Sequence, residues 1–359
     1  MHVGLLHIGT PSPSDAIGVY TERMSAALRE WFETTIITSG KRGGWAGSHS
    51  NVAHVQEGLE DLDEVLSQRK VDVLLVQYNP FLFAPRGLAF DLPGKLRLNH
   101  PCRLILVTHE RWSEPDSLRL RLLGMAHRTV LRSLLRVVDD VIVCTEGWIP
   151  WIEARFSGRV HYIPVGDNVG SGKEDEEGLS ALAAPDYPRP WIGTFGKPHN
   201  SRLETWVERT ILEIGGTRVH VGSGVDVTSV PYPCVAPGVI RDDQVENHLR
   251  AVDLFLCPFR RGVSGRRGSF MTALHLGLPI LTTMGIDTGP SLRSLAGSAF
   301  AASEDDAEED YLRFAKELLA DPDKRRSLSE RARDAYNQKF DWPVIARRLH
   351  HFLVTNAPA

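Results

Sequence analysis

Three short runs constrain this chain most: Val71–Gln77, Leu104–Thr108 and Val141–Thr145 are almost wholly apolar and rich in β-branched residues. A strand with one face in water alternates polar and apolar residues, whereas these lack alternation and read as strands buried on both faces, as parallel sheets require. Val3–Ile8 and Thr34–Thr38 continue the series, with a helical pattern over Val19–Phe32 between them. The segments separating the runs are long enough for helices, and this alternation points to a doubly wound α/β domain.

The rhythm breaks between positions 169 and 190, where Gly-Ser-Gly, an acidic run from Lys173 to Glu177 and Pro185, Pro188 and Pro190 give linker composition. A second α/β series follows: Trp191–Phe195, Arg218–Val221, Val239–Ile240, Leu254–Cys257, Pro279–Thr283 and Ala299–Ala301, with helical stretches at Leu203–Ile214, Asp242–Ala251 and Ser269–Leu276. Three helical patterns, Glu308–Leu319, Lys324–Phe340 and Pro343–Leu353, close the chain. The expected organisation is a Rossmann-like domain over 1–168, a linker over 169–190 and a second Rossmann-like domain over 191–340. Ligands in such sheets bind at the carboxyl ends of the strands, here expected to face a cleft between the domains.

The 359 residues suffice for two cores, and 42% hydrophobic with 24% charged residues is ordinary globular composition. A net charge of -4 gives no global attraction to nucleic acid, so an anion site must come from local clustering. Cys102, Cys144, Cys234 and Cys257 lack metal-ligand spacing, and most sit beside apolar runs, which fits a reducing cytoplasm. With no bilayer-length apolar stretch and no signal-peptide layout, the expected location is cytoplasmic, with peripheral contact at the inner face of the membrane left open.

Four features carry candidate chemistry. Gly18, in the loop Gly9–Gly18, stands before a helix whose free N–H groups favour an anion; a flexible surface turn accounts for it equally well. His109 follows a buried strand at its carboxyl end, where it can donate to a substrate hydroxyl or phosphate; the other reading is a loop histidine capping the next element. Gly196, Lys197 and Arg202 place two cations between a strand and a helix, a plausible diphosphate clamp worth roughly 1.5–3 kcal/mol per charged contact. The densest feature lies between Pro258 and Pro279: the strand Leu254–Cys257 empties into a loop with Arg260, Arg261, Gly262, Gly265, Arg266, Arg267 and Gly268 before a helix near Ser269. Glycines let backbone amides approach a ligand, and Arg266 and Arg267 can add bidentate phosphate contacts; a merely solvated basic loop would need several carboxylates nearby.

At these residues the chain resembles the retaining glycosyltransferases of family four, over nearly its whole length. Gly196-Lys197, four residues, then Arg202 is similar to that family's Gly-Arg-x4-Lys with the cations exchanged. Ala273-Leu274-His275-Leu276-Gly277-Leu278-Pro279 matches its Ala-Met-Ala-x-Gly-x-Pro segment, and Phe340-Asp341-Trp342 matches the opening of its last helix. Gly18 matches the glycine of its first loop. The resemblance implies the GT-B fold, with a C-terminal helix over 341–355 returning to the first domain. It further implies transfer with retention from a nucleotide-diphosphate sugar to a glycan, lipid-linked or small-molecule acceptor, in polysaccharide biosynthesis. His109 would then touch the transferred sugar. Lys197, Arg202 and the loop Gly265–Ser269 would stabilise charge on the departing diphosphate, which could itself take the acceptor proton. Neither a metal nor any other cofactor is implied.

One departure stands out: the family's Glu-x7-Glu positions hold Ser264 and Thr272 here. Their loss keeps two alternatives in view, a catalytically silent nucleotide-sugar-binding protein and a GT-B-fold nucleotide-sugar epimerase. Finally, Arg128, Arg132 and Arg136 recur every four residues in a leucine-rich helical stretch, a stripe suited to anionic lipid or to plain solvation of an amphipathic helix.

Overall fold

The computed structural model describes residues 1–9, 15–39, 51–112, 117–169 and 187–355. Residues 10–14 of the Gly9–Gly18 loop and most of the expected linker therefore lie outside the described residues. The chain divides into two compact units: Met1–Pro164 with Ile345–Ala359, and Val165–Val344.

The first unit holds a seven-stranded sheet of β1 (His2–Leu6), β2 (Glu33–Thr38), β3 (Val52–His54), β4 (Val73–Tyr78), β5 (Arg103–Thr108), β6 (Asp140–Val143) and β7 (Arg159–Tyr162). Its order is β3-β2-β1-β4-β5-β6-β7, with every pairing parallel. The central strands are buried from end to end, which is why their sequences do not alternate. The longer helices here are α1 (Ala16–Leu28), α2 (Leu62–Arg69) and α3 (Leu118–Leu134).

The second unit repeats the plan with six parallel strands: β8 (Trp191–Phe195), β9 (Thr217–Val221), β10 (Cys234–Gly238), β11 (Leu254–Cys257), β12 (Ile280–Met284) and β13 (Ala301–Glu304). Their order is β10-β9-β8-β11-β12-β13. Its helices include α4 (Glu204–Ile214), α5 (Asp242–Arg250), α6 (Gly268–Leu276), α7 (Glu308–Ala320) and α8 (Pro322–Lys339). The last helix, α9 (Trp342–Val354), begins in the second unit and from Ile345 belongs to the first. In each sheet the chain winds outward one way, then the other. The reversals fall between β1 and β4 and between β8 and β11, the points where open α/β sheets bind ligands.

Three differences from the sequence reading have local causes. The tenth strand covers Cys234–Gly238, so Val239 and Ile240 lie past it; Gly238, at φ +81, ends the strand before they are reached. Strands β3 and β7 were not foreseen, being short edge strands whose half-buried residues lack a long apolar run. Helix α1 starts at Ala16, with Asp15 as its cap.

Candidate functional site

The second unit's site is built where β8 and β11 part. After β8 the chain turns at Gly196 (φ +87), and after β9 at Gly222 (φ +127), where a Cβ would stand 3.0 Å from the Gly196 backbone. The two turns touch, so the strand ends stay open to one another. The loop after β11 is equally tight: a Cβ on Gly262 (φ +79) would come 2.1 Å from the Gly285 nitrogen that follows β12.

Arg202 is the centre of this region and is 8% exposed. Leu203 N–H donates to Pro258 O at 3.1 Å, and a backbone bridge joins Arg202 to Phe259, fixing its segment alongside the β11 exit. Its Nη2 donates to Phe195 O at 2.7 Å and reaches Ser269 Oγ at 3.4 Å. Arg267 donates to Ser201 Oγ at 2.8 Å, and its guanidinium lies 4.5 Å from the Phe259 ring centre; Arg202 lies 6.0 Å from the same ring. Two guanidinium groups and one hydroxyl thus converge at the first turn of α6.

That turn is itself a donor. Arg267 occupies the N-cap without a side-chain hydrogen bond to the helix, and the N–H groups of Gly268 and Ser269 find no acceptor among the described residues. Uncapped N–H groups at a helix start carry a partial positive charge and suit an anion.

The charge balance points the same way. Glu204, the first residue of α4, is shared: Arg218 Nη2 donates to it at 2.9 Å, and Arg202 Nη1 stands 3.6 Å away. Arg218 is 1% exposed and also donates to Thr194 Oγ1. His220, hydrogen-bonded to Thr194, is pushed down to about 3, first by burial and then by the charges of Arg218 and Arg202. Among the described residues Glu204 is the one carboxylate paired with these two buried arginines, which leaves the site short of negative charge. Cys257, buried beneath it, is pushed up to about 12 by burial and is chemically inert.

The loop arginines divide their roles. Arg261 pairs with Asp287 at 3.3 Å, and Arg260 Nε donates to Asn200 O, so these two serve the loop's own structure. Arg266 is half-buried; Gly265 is buried, and its carbonyl accepts from Val165 N–H at 2.8 Å. Lys197 is exposed and forms no ion pair among the described residues, whereas Arg202 and Arg267 are gathered with Ser201 and Ser269.

His109 belongs to the first unit, at the end of β5. It is buried, with Nε2 2.8 Å from Gln77 Oε1, Nδ1 3.8 Å from Cys144 Sγ and the Tyr20 ring edge-on at 4.8 Å. With the Gln77 oxygen as acceptor, the proton sits on Nε2. Gly18 corrects the sequence reading. It is the third residue of α1, not its forerunner, and its N–H already donates to Asp15 Oδ1 at 2.9 Å. Asp15 Oδ2 in turn meets His7 Nε2 at 2.7 Å, so an internal carboxylate fills the place expected for an external anion. The basic stripe is broken as well: Arg128 lies over Trp112, Arg132 stands 6.0 Å over Trp151, and Arg136 falls beyond the end of α3. Among the described residues no helix is long and apolar enough to cross a membrane, and no cluster of His, Cys, Asp or Glu is placed to hold a metal.

No family model matches the chain, and no curated protein matches it in sequence. Solved structures match over its whole length. Sucrose-phosphate synthase from Thermosynechococcus elongatus has a TM-score of 0.75 at 13% identity, covering 99% of this chain and 98% of that one. HepE of Anabaena, in complex with UDP and glucose, has 0.76 at 12%, covering 99% and 100%. WaaG, a glycosyltransferase involved in lipopolysaccharide biosynthesis, has 0.67 at 11%, covering 99% and 100%. The fold is GT-B.

Within this GT-B chain the second unit also holds a carboxylate that no motif announced. Asp167, 1% exposed, accepts from the Thr272 hydroxyl at 2.5 Å and from Val169 N–H at 3.0 Å, with His275 Nδ1 2.8 Å from its other oxygen. Its backbone is held too, N–H donating to Tyr336 OH and carbonyl accepting from Trp342 Nε1. Thr272, which replaces a glutamate of the resembled family, is thereby committed inward. No spacing in the sequence could show this, since the partners are 105 residues apart. Glu204, Arg218 and Asp15 were missed for the same reason.

Proposed function

We propose that this protein is a glycosyltransferase that moves a sugar, with retention, from a nucleotide-diphosphate donor to an acceptor hydroxyl. The observation that carries the reading is the meeting of Arg202, Arg267 and Ser269 at the uncapped start of α6, beside the β8–β11 reversal. Preorganised cations and backbone N–H groups there would hold the diphosphate and stabilise the charge it gains as the sugar leaves. The GT-B fold, shared with HepE that binds UDP and glucose, supports a nucleotide-sugar donor. Gly265, Arg266 and Gly268 would line the phosphate loop, and exposed Lys197 would add charge from solvent. The departing phosphate would accept the acceptor's proton, so the proposed reaction needs neither metal nor other cofactor. His109, fixed by Gln77, would donate its Nε2 proton only by exchanging that partner for the sugar or phosphate.

Calorimetric titration with UDP, GDP, ADP and TDP, followed by donor-hydrolysis assays, tests this directly. Failure of every nucleoside diphosphate to bind would remove the proposal. A second reading, a catalytically silent nucleotide-sugar binder, is favoured by the commitment of Thr272 to Asp167. Tight binding without donor hydrolysis or transfer would select it.

A further inference from the structure

In the first unit, the edge strand β7 and the last helix α9 border a cavity of about 450 Å³ lined by His161, Tyr162, Arg347, Arg348 and His351. Helical spacing gathers its cations: His351 follows Arg347 by four residues and Arg348 by three, so the three share one face of α9. The other face, with Ile345, Leu349 and Leu353, is buried. From β7, the His161 ring stacks on Phe352 at 5.3 Å, and Tyr162 supplies a second aromatic wall.

The charge in this cavity is unbalanced. Neither Arg347 nor Arg348 forms an ion pair or hydrogen bond among the described residues, although Arg348 is half-buried. Residues 154–166 and 342–359 contain no Asp or Glu. Asp140 is committed to Arg103 and Arg159, at 2.7 and 2.9 Å. Glu146 lies near enough to act on the Tyr162 hydroxyl but pairs with neither Arg347 nor Arg348. His161 feels the imbalance: burial first, then the charges of Arg348, His351 and Arg159, hold it below the ordinary histidine value. The buried Tyr162 hydroxyl has no hydrogen-bond partner among the described residues. Cations that repel a proton attract an anion, and the planar fork of arginine suits a phosphoryl group. The volume is that of a small-molecule site, and ring faces with arginine stems offer walls for a carbon skeleton. We propose that this cavity binds a small soluble phosphate monoester of sugar-phosphate size, with Arg347 and Arg348 on the phosphoryl group and the His161 and Tyr162 rings against the carbon body. Its residues belong to the first unit and the clamp around Arg202 to the second, so this site is independent of the donor reading.

Isothermal titration of the full chain with inorganic phosphate and glucose 6-phosphate, with glucose as the neutral control, is the experiment. Both anions should bind, the sugar phosphate more tightly, and glucose should give no binding heat. Arg347→Gln with Arg348→Gln should weaken glucose 6-phosphate at least about tenfold. His351→Gln, at an exposed position, should weaken it roughly threefold. The region around Arg202 also suits phosphate, so the comparison is repeated in Arg202→Ala, where the tenfold difference should persist. Unchanged thermal unfolding would show that the variants fold. Absence of glucose 6-phosphate binding overturns the proposal, as does equal affinity in the doubly substituted chain. A difference that vanishes in Arg202→Ala would place the binding at the clamp and overturn it too. Dihexanoyl phosphatidic acid binding about tenfold more tightly than glucose 6-phosphate would overturn the soluble ligand in favour of a lipid headgroup.

Discussion

Thr272 donates its hydroxyl proton to Asp167 Oδ1 across 2.5 Å, so helix α6 receives a carboxylate from a segment 105 residues earlier in the chain. The same carboxylate meets His275 one turn further along the helix. Removing it in Asp167→Ala would leave a buried hydroxyl and the Val169 N–H without their acceptor. We expect a stability loss of about 3 kcal/mol or more, because two or three hydrogen bonds to one charged group disappear. Urea unfolding measures it, and a loss under about 1 kcal/mol would show that Asp167 is not holding this helix.

Arg202→Ala should weaken nucleoside-diphosphate binding about 10- to 100-fold, the equivalent of one charge-assisted contact. Arg202→Lys should recover only part of this, since an ammonium cannot reach Phe195 O and Ser269 Oγ with the same planar fork. Isothermal titration reads both variants. Equal affinity in Arg202→Ala and the parent would move the clamp elsewhere.

His220 gives a pH signature. Its folded pKa of about 3 lies below the ordinary 6.5, so between those values the unfolded chain binds the extra proton. Stability should therefore rise with pH through this window and fall as the solution is acidified from about 6.5 toward 3. The slope attributable to this one group is at most about 1.4 kcal/mol per pH unit. Comparing urea midpoints of the parent and His220→Gln across that range checks the sign. A parallel pair of curves would assign the acid sensitivity to other groups.

Gly262→Ala tests the contact between the loops after β11 and β12. The new Cβ would meet the Gly285 nitrogen at 2.1 Å, on a backbone already at φ +79. Moving that backbone and straining φ should cost at least about 1–3 kcal/mol. It should also weaken nucleotide binding, because the same loop leads into Arg267. Gly196→Ala has the same kind of backbone strain but no atom within 4 Å of its Cβ, so its stability loss should be smaller. Thermal unfolding of the two variants gives the ranking.

The sequence revealed whatever depended on burial along one segment. Trp191–Phe195 and Leu254–Cys257 were readable to the residue because both faces of those strands are packed. Arg202 stood out only through the resemblance of Gly196-Lys197-x4-Arg202 to a family motif, since cations near a turn are common; its burial beside Ser269 needed the structure. Pairings across the fold were hidden: Glu204 with Arg218, Arg261 with Asp287, and Asp15 with His7 each need the tertiary structure. The shift of α1 by three residues, and the loss of Gly18 as an anion donor, follow from one of them. Strands β3 and β7 stayed hidden because edge positions relax the demand for apolar residues.

Helix α9 has a consequence for how the chain is made. Phe352 lies under both Arg103 and Arg159 and stacks on His161, while His350 packs beside Trp31 and Phe32. During translation, residues 1–164 leave the ribosome with almost all of the second unit still to be synthesised. Residues 1–164 are therefore completed by a helix made only after the whole second unit, and a nascent chain stalled before Ile345 would expose an apolar surface that α9 covers.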